Sequence, residues 1–234
     1  MNRLIKTAFA ALAVAAVSPV FADGAEEDGV VGWTPIAIGL ATPVQLPWGI
    51  ERWDVFGLDA NLFYTDTPKM YGLGAGGLGM TTRDDLIGVG AGGLFNYAGR
   101  DVYGLRGTLG ANICRGTVYG LDVGSFSYHH EMRGLNAELL GGLYDELYGV
   151  QASLVVNFAR EMSYGWTAAL GANIAHKAYG CQTALVFNHA NLLHGCQIAL
   201  VNFADECEWG FQIGVINVIM SNTVKVLPIV NGYF

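Results

Sequence analysis

The residues best suited to chemistry in this chain are His129-His130-Glu131, two imidazoles and a carboxylate in a row. Such a set could hold a metal, but no further ligand follows at a spacing that zinc sites use. A solvated turn accounts for it better. The four cysteines, Cys114, Cys181, Cys196 and Cys207, show no C-x2-C pair. Gly72-Leu-Gly74-Ala-Gly-Gly77 and Gly88-Val-Gly90-Ala-Gly-Gly93 both fit G-x-G-x-x-G. A dinucleotide site needs a strand before that turn and a helix after it, whereas strand patterning continues through both stretches here. Acid pairs such as Asp84-Asp85 and Asp145-Glu146 lie in turn-like clusters. No serine stands in G-x-S-x-G, and no Ser/His/Asp set can be placed. These residues predict a non-catalytic protein with no cofactor and no metal.

Composition narrows the class. Of 234 residues, 52% are hydrophobic and only 14% charged, the reverse of a disordered chain. A net charge of -8 argues against nucleic acid, which is bound through clustered Lys and Arg. Residues 1–22 read as a secretory signal: Arg3 and Lys6, an apolar run from Thr7 to Val17, and the cleavage site Val20-Phe21-Ala22. Export is expected, with a mature chain from Asp23. No later apolar run has the length of a membrane helix, so any spanning would have to use strands.

The elements that must position these side chains are set by an internal repeat. Its anchors are Gly57, Gly72, Gly88, Gly104, Gly120, Gly134, Gly149, Gly165, Gly180, Gly195 and Gly210, spaced by 14 to 16 residues. An aromatic residue precedes the anchor in eight of the eleven units. Apolar residues stand one, three and five places after it, and polar or small ones at the places between. Alternation of that period means a strand with one apolar face. Each unit then passes an Asn-apolar pair, such as Asn157-Phe158 or Asn202-Phe203, and charges collect next, as at Arg83-Asp84-Asp85, Asp145-Glu146 and Arg160-Glu161. The chain divides into residues 23–54 as an N-terminal segment with a first strand or plug, residues 55–220 as repeats, and residues 221–234 as a closing strand ending on Phe234.

Two architectures use such a unit: an antiparallel meander, or a parallel solenoid with one coil of about 15 residues per unit. Path length favours the meander. A strand of about 10 residues covers roughly 33 Å, and the remaining 5 or so reach only about 18 Å, too short to return without a second bend. Only one clear turn cluster is visible per unit. The expectation is therefore an all-β transmembrane-type barrel of about 12 strands, closed to hide its edges, with outer-membrane lipid on its apolar face. Asp59, Arg106, Asp122, Glu138, Gln151, Gln182, Gln197 and Gln212 would face the lumen, and an open lumen would pass small solutes, mildly favouring cations. The alternative is a surface solenoid acting as an adhesion or interaction scaffold for a surface partner. The cysteines distinguish the two. Cys181 and Cys196 share a repeat position, so parallel coils would stack them within disulfide reach, and antiparallel neighbours would hold them beyond it. In the barrel all four cysteines would be free thiols.

Gly195-Cys-Gln-Ile-Ala-Leu-Val-Asn202 and Gly210-Phe-Gln-Ile-Gly-Val-Ile-Asn217 resemble the bacterial surface-repeat family, whose unit is Gly-Leu-Gln-Leu-Gly-Leu-Val-Asn. Thr42-Pro-Val-Gln-Leu46 and Leu227-Pro-Ile-Val-Asn231 resemble its flanking segments. The terminal Phe234 resembles the closing-strand signal of bacterial outer-membrane barrels. The family resemblance implies an exported protein of the cell surface or outer membrane, and it implies no reaction.

Overall fold

The computed structural model describes residues 29–233. The expected signal segment and Phe234 lie outside the described residues. Neighbouring units pair in parallel and in repeat register. Gly57 stands beside Gly72, then Gly88, Gly104 and Gly120 follow. Gly149 stands beside Gly165, then Gly180, Gly195 and Gly210. The molecule is a parallel β-solenoid, and the antiparallel twelve-strand transmembrane barrel is wrong. With it go the lumen and the solute pore.

The expectation failed at the second bend of each unit. The chain turns once at the charged cluster: register slips between Ala159 and Met162, at Arg160-Glu161. It turns again between the strands Val156–Ala169 and Ala172–Ala184, at Leu170-Gly171. Leu154-Val155 and Leu185-Val186 bend likewise. Leu and Val send no turn signal of the Gly, Pro, Asn or Asp kind. The Asn does mark the bend, but from just beyond it and from inside the coil.

The inner and outer faces follow the alternation. Side chains one, three and five places after the anchor point outward, and those two and four places after it point in. Two places before the anchor is an inward apolar row, with Val55, Met70, Leu86, Val102, Val118, Met132, Leu147 and Leu193 all buried. The anchors themselves have φ between +124° and +152°. A Cβ at Gly165 would lie 2.1 Å from the carbonyl oxygen of Gly149. Glycine is required there both by conformation and by the close approach of the coils.

Both ends are capped. Gly32–Ala41 pairs in parallel with Trp53–Thr67, and Val44–Leu46 folds back on it antiparallel; the N-terminal segment is therefore an added strand with a return. Val226–Tyr233 lies antiparallel on Val201–Ile219.

Cys181 and Cys196 are joined by a disulfide with Cα atoms 4.6 Å apart. This corrects the free thiols of the barrel reading, and it is the outcome that parallel stacking requires. Cys114 and Cys207 are free and buried. A thiol assay in denaturant should count two thiols per chain, and four after reduction. Four before reduction would contradict the stacking.

Candidate functional site

The eight residues assigned to a lumen are all buried inside the coil, in three clusters and one ladder. Gln212 donates to Gln197, and Gln197 to Gln182, each at 2.7 Å. Beside them runs an asparagine ladder: Asn157 donates to Asn173 at 2.8 Å, Asn173 to Asn188 and Asn188 to Asn202 at 3.0 Å, and Asn202 to Asn217 at 2.8 Å. Each amide also donates to a carbonyl near the Leu-Val corner, as Asn188 does to Ile198 at 3.0 Å. The asparagines thus face inward to satisfy backbone that would otherwise be left unpaired at the bend.

The ladder breaks at Ser127 and Gly142, where charges fill the core. Arg106 Nη2 lies 2.6 Å from Asp122 Oδ2, and His129 Nε2 lies 2.8 Å from the same oxygen. Asn112 donates to the other oxygen. Burial works against the Asp122 charge, but Arg106 and His129 hold its carboxyl below the usual range. Burial also keeps the His129 imidazole below its ordinary value, despite Asp122. A neutral ring protonated at Nε2 satisfies both neighbours, since Nδ1 can accept from Arg106 at 3.3 Å.

In the next coils Glu138 accepts from Tyr144 at 2.5 Å, Asn136 at 2.8 Å and Gln151 at 3.3 Å. Tyr144 occupies the inner position held by Ala159, Ala175 and Ala190 elsewhere. It fits because residue 142 is Gly: a Cβ there would meet the Tyr144 hydroxyl at 2.1 Å. Asp59 accepts from Asn61 at 3.0 Å and from Thr65. Sequence reasoning missed His129, Tyr144 and Asn112 as members of these clusters. The signal was available: the inner Ala and the Asn are both replaced in the same coils.

Burial raises the Glu138 carboxyl from 4.5 to about 7, and the Asp59 carboxyl from 3.8 to about 6. Between those values the folded chain binds more protons than the unfolded chain, so stability falls as pH rises through the window. For Glu138 the loss is about 3 kcal/mol once both states are ionised. Denaturant midpoints should therefore drop between about pH 5 and about pH 8, and Glu138→Gln should flatten much of that slope. An equal slope in the variant would refute the assignment.

None of these groups reaches solvent, so none can meet a substrate. His129 points in and His130 points out, 2.9 Å from Asp145, so the two do not share a metal site. Burial lifts the Cys114 thiol to about 11, which leaves it protonated and unreactive.

What the molecule offers to partners is its exterior. The row before the anchors stacks ring on ring: Phe56 on Tyr71 at 4.4 Å, Tyr103 on Tyr119 at 4.8 Å, and Tyr164 near Tyr179 at 6.1 Å. Arg133 continues it between Tyr119 and Tyr148, 5.8 and 5.0 Å from their centroids. Stacked faces leave ring edges and hydroxyls outward. One long edge of the rod carries the charges, cross-linked between coils by Arg83–Asp66 at 2.9 Å and Arg160–Asp145 at 3.4 Å. The opposite edge is the apolar corner, with Leu62, Leu94, Leu109, Leu139, Leu170 and Leu185 all more than half exposed. At its C-terminal end a shallow cleft of about 410 Å³ is lined by Leu200, Val215, Pro228 and Ile229, among other residues. Compared with family models, with curated proteins and with solved structures, the chain finds no match.

Proposed function

We propose that the chain is an exported, surface-attached β-solenoid that acts as an interaction scaffold and catalyses no reaction. The observation that carries this reading is the sorting of the exterior into rows. Most coils present aromatic, aliphatic and charged side chains at the same places, so binding capacity is spread along the rod. A catalytic site instead needs a few polar groups converging in a cleft. The signal-like residues 1–22 and the likeness of Gly195–Asn202 and Gly210–Asn217 to the surface-repeat unit support export.

Expression of the full chain in a Gram-negative host tests the reading. The mature protein should begin at Asp23, and antibody raised to the folded rod should label intact cells. Retention in the cytosol with residues 1–22 in place would overturn it.

A further inference from the structure

The apolar corner runs the whole length of the repeat. It is formed by the fifth and sixth residues after each anchor, and across eleven units Ser125 is its one polar side chain among the described residues. The Ser125 hydroxyl is turned onto the Leu109 carbonyl. No charged residue stands at the outward places between the anchors and this corner. The row is roughly 48 Å long, ten steps of about 4.8 Å. Soluble monomers seldom expose an apolar strip of that extent.

We infer that this corner seats in the hydrocarbon of a lipid leaflet, so that the rod lies along a membrane with its charged edge in water. The inference rests on the surface-attached reading above and names the partner of that attachment. Three observations favour lipid over a protein. First, the corner is dry in its backbone. Leu154 N donates to Glu138 O at 3.3 Å, Leu185 N to Ala169 O at 3.2 Å and Val215 N to Leu200 O at 2.9 Å, while the buried asparagines hold nearby carbonyls. Pairing of this kind is what a corner seated in hydrocarbon requires.

Second, the depth matches. From the residue after the anchor to the corner is four residues, roughly 13 Å, against about 15 Å for half of a hydrocarbon core of about 30 Å. The Tyr row stands two residues further out, at headgroup level, where aromatic side chains are favoured. The charges follow beyond it. Third, the corner is convex and uneven, with Leu94, Gly110, Phe126, Leu140, Val155 and Gly171 at one place in successive units. Two such ridges touch along a line, whereas a stable dimer needs about 1,200–2,000 Å² from matched faces. Fluid acyl chains need no match.

The chain from Asp23 onward, which contains every described residue, should float with phosphatidylcholine vesicles in a density gradient. Leu170→Lys with Leu185→Lys places two charges on the ridge at exposed positions, and partition should fall roughly a hundredfold with the melting temperature unchanged. Asn191→Lys, on the charged edge, should float like the parent. A chain that stays at the bottom of the gradient overturns the inference. So does a dimer in the absence of vesicles that the ridge lysines convert to monomer, because a second copy then covers the corner. Surface labelling of cells is read separately: a labelled chain that ignores vesicles sinks only the lipid edge, and an unlabelled one sinks the surface reading.

Discussion

Gly165→Val should cost the solenoid several kcal/mol and separate the coils on either side. Gly165 has φ +127°, a backbone conformation that costs a side-chain-bearing residue about 1–3 kcal/mol. Its new Cβ would also stand 2.1 Å from Gly149 O. That neighbour is backbone in a parallel ladder, so it cannot rotate away as a side chain would. Relief requires the two coils to part, and parting them breaks the Asn157–Asn173 bond and the Tyr148–Tyr164 ring contact together. Stability in a stacked-repeat protein is a sum of coil and neighbour terms, so the loss falls on the interface between the Gly149 and Gly165 coils. The measurement is the urea midpoint, with hydrogen exchange locating the damage. Gly107→Ala is the control: nothing lies within 4 Å of the added Cβ, and the midpoint should barely move. Equal effects from the two changes would mean that the anchors do not hold the coils together.

The second large effect concerns the buried charges. Asp122→Ala removes the partner of Arg106, which is 2% exposed, and should cost about 3–5 kcal/mol as an uncompensated interior cation. Arg106→Ala should cost a similar amount by stranding Asp122, eased at low pH as the carboxyl or His129 takes up a proton. Both residues occupy the place held by Gln182, Gln197 and Gln212 in later coils. Arg106→Gln combined with Asp122→Gln therefore repeats in these coils the Gln-on-Gln stacking that later coils use. The double variant should be more stable than either alanine variant and close to the parent, since a buried ion pair adds little over a well-packed replacement. A double variant as unstable as the singles would show that the neighbours of this pair, His129 and Asn112, admit nothing else.

Much of this was legible in the residues, and the rest was hidden for definable reasons. The alternation around each anchor set Gln151, Gln182, Gln197 and Gln212 on one face and Leu73, Leu105 and Trp166 on the other, but the face read as the wall of a lumen is the closed interior of the coil. Strand direction was not legible, because alternation is the same in parallel and antiparallel sheets. It hung on counting bends, and half the bends fall on Leu-Val or Leu-Gly pairs that resemble the middle of a strand. The shared position of Cys181 and Cys196 did carry the direction, but only once a disulfide was in view. The charged cluster around Asp122 was half legible: Arg106 and Asp122 stand at one repeat place. His129 joins them only because a coil returns the chain over itself after the apolar corner.

At each rim of the stack a strand runs against its neighbour: Val44–Leu46 on Gly32–Ala41, and Val226–Tyr233 on Val201–Ile219. Identical amides aligned one above the next, at a rise near 4.8 Å, are also how cross-β fibrils hold together. Nothing in the Asn and Gln rows limits their growth. The limit is Val226–Tyr233, whose reversed direction presents an incoming copy with the wrong phase, and whose Pro228 withholds a donor from the open rim. Val226–Tyr233 thus covers one rim of the stack with a strand that does not repeat its neighbours' direction.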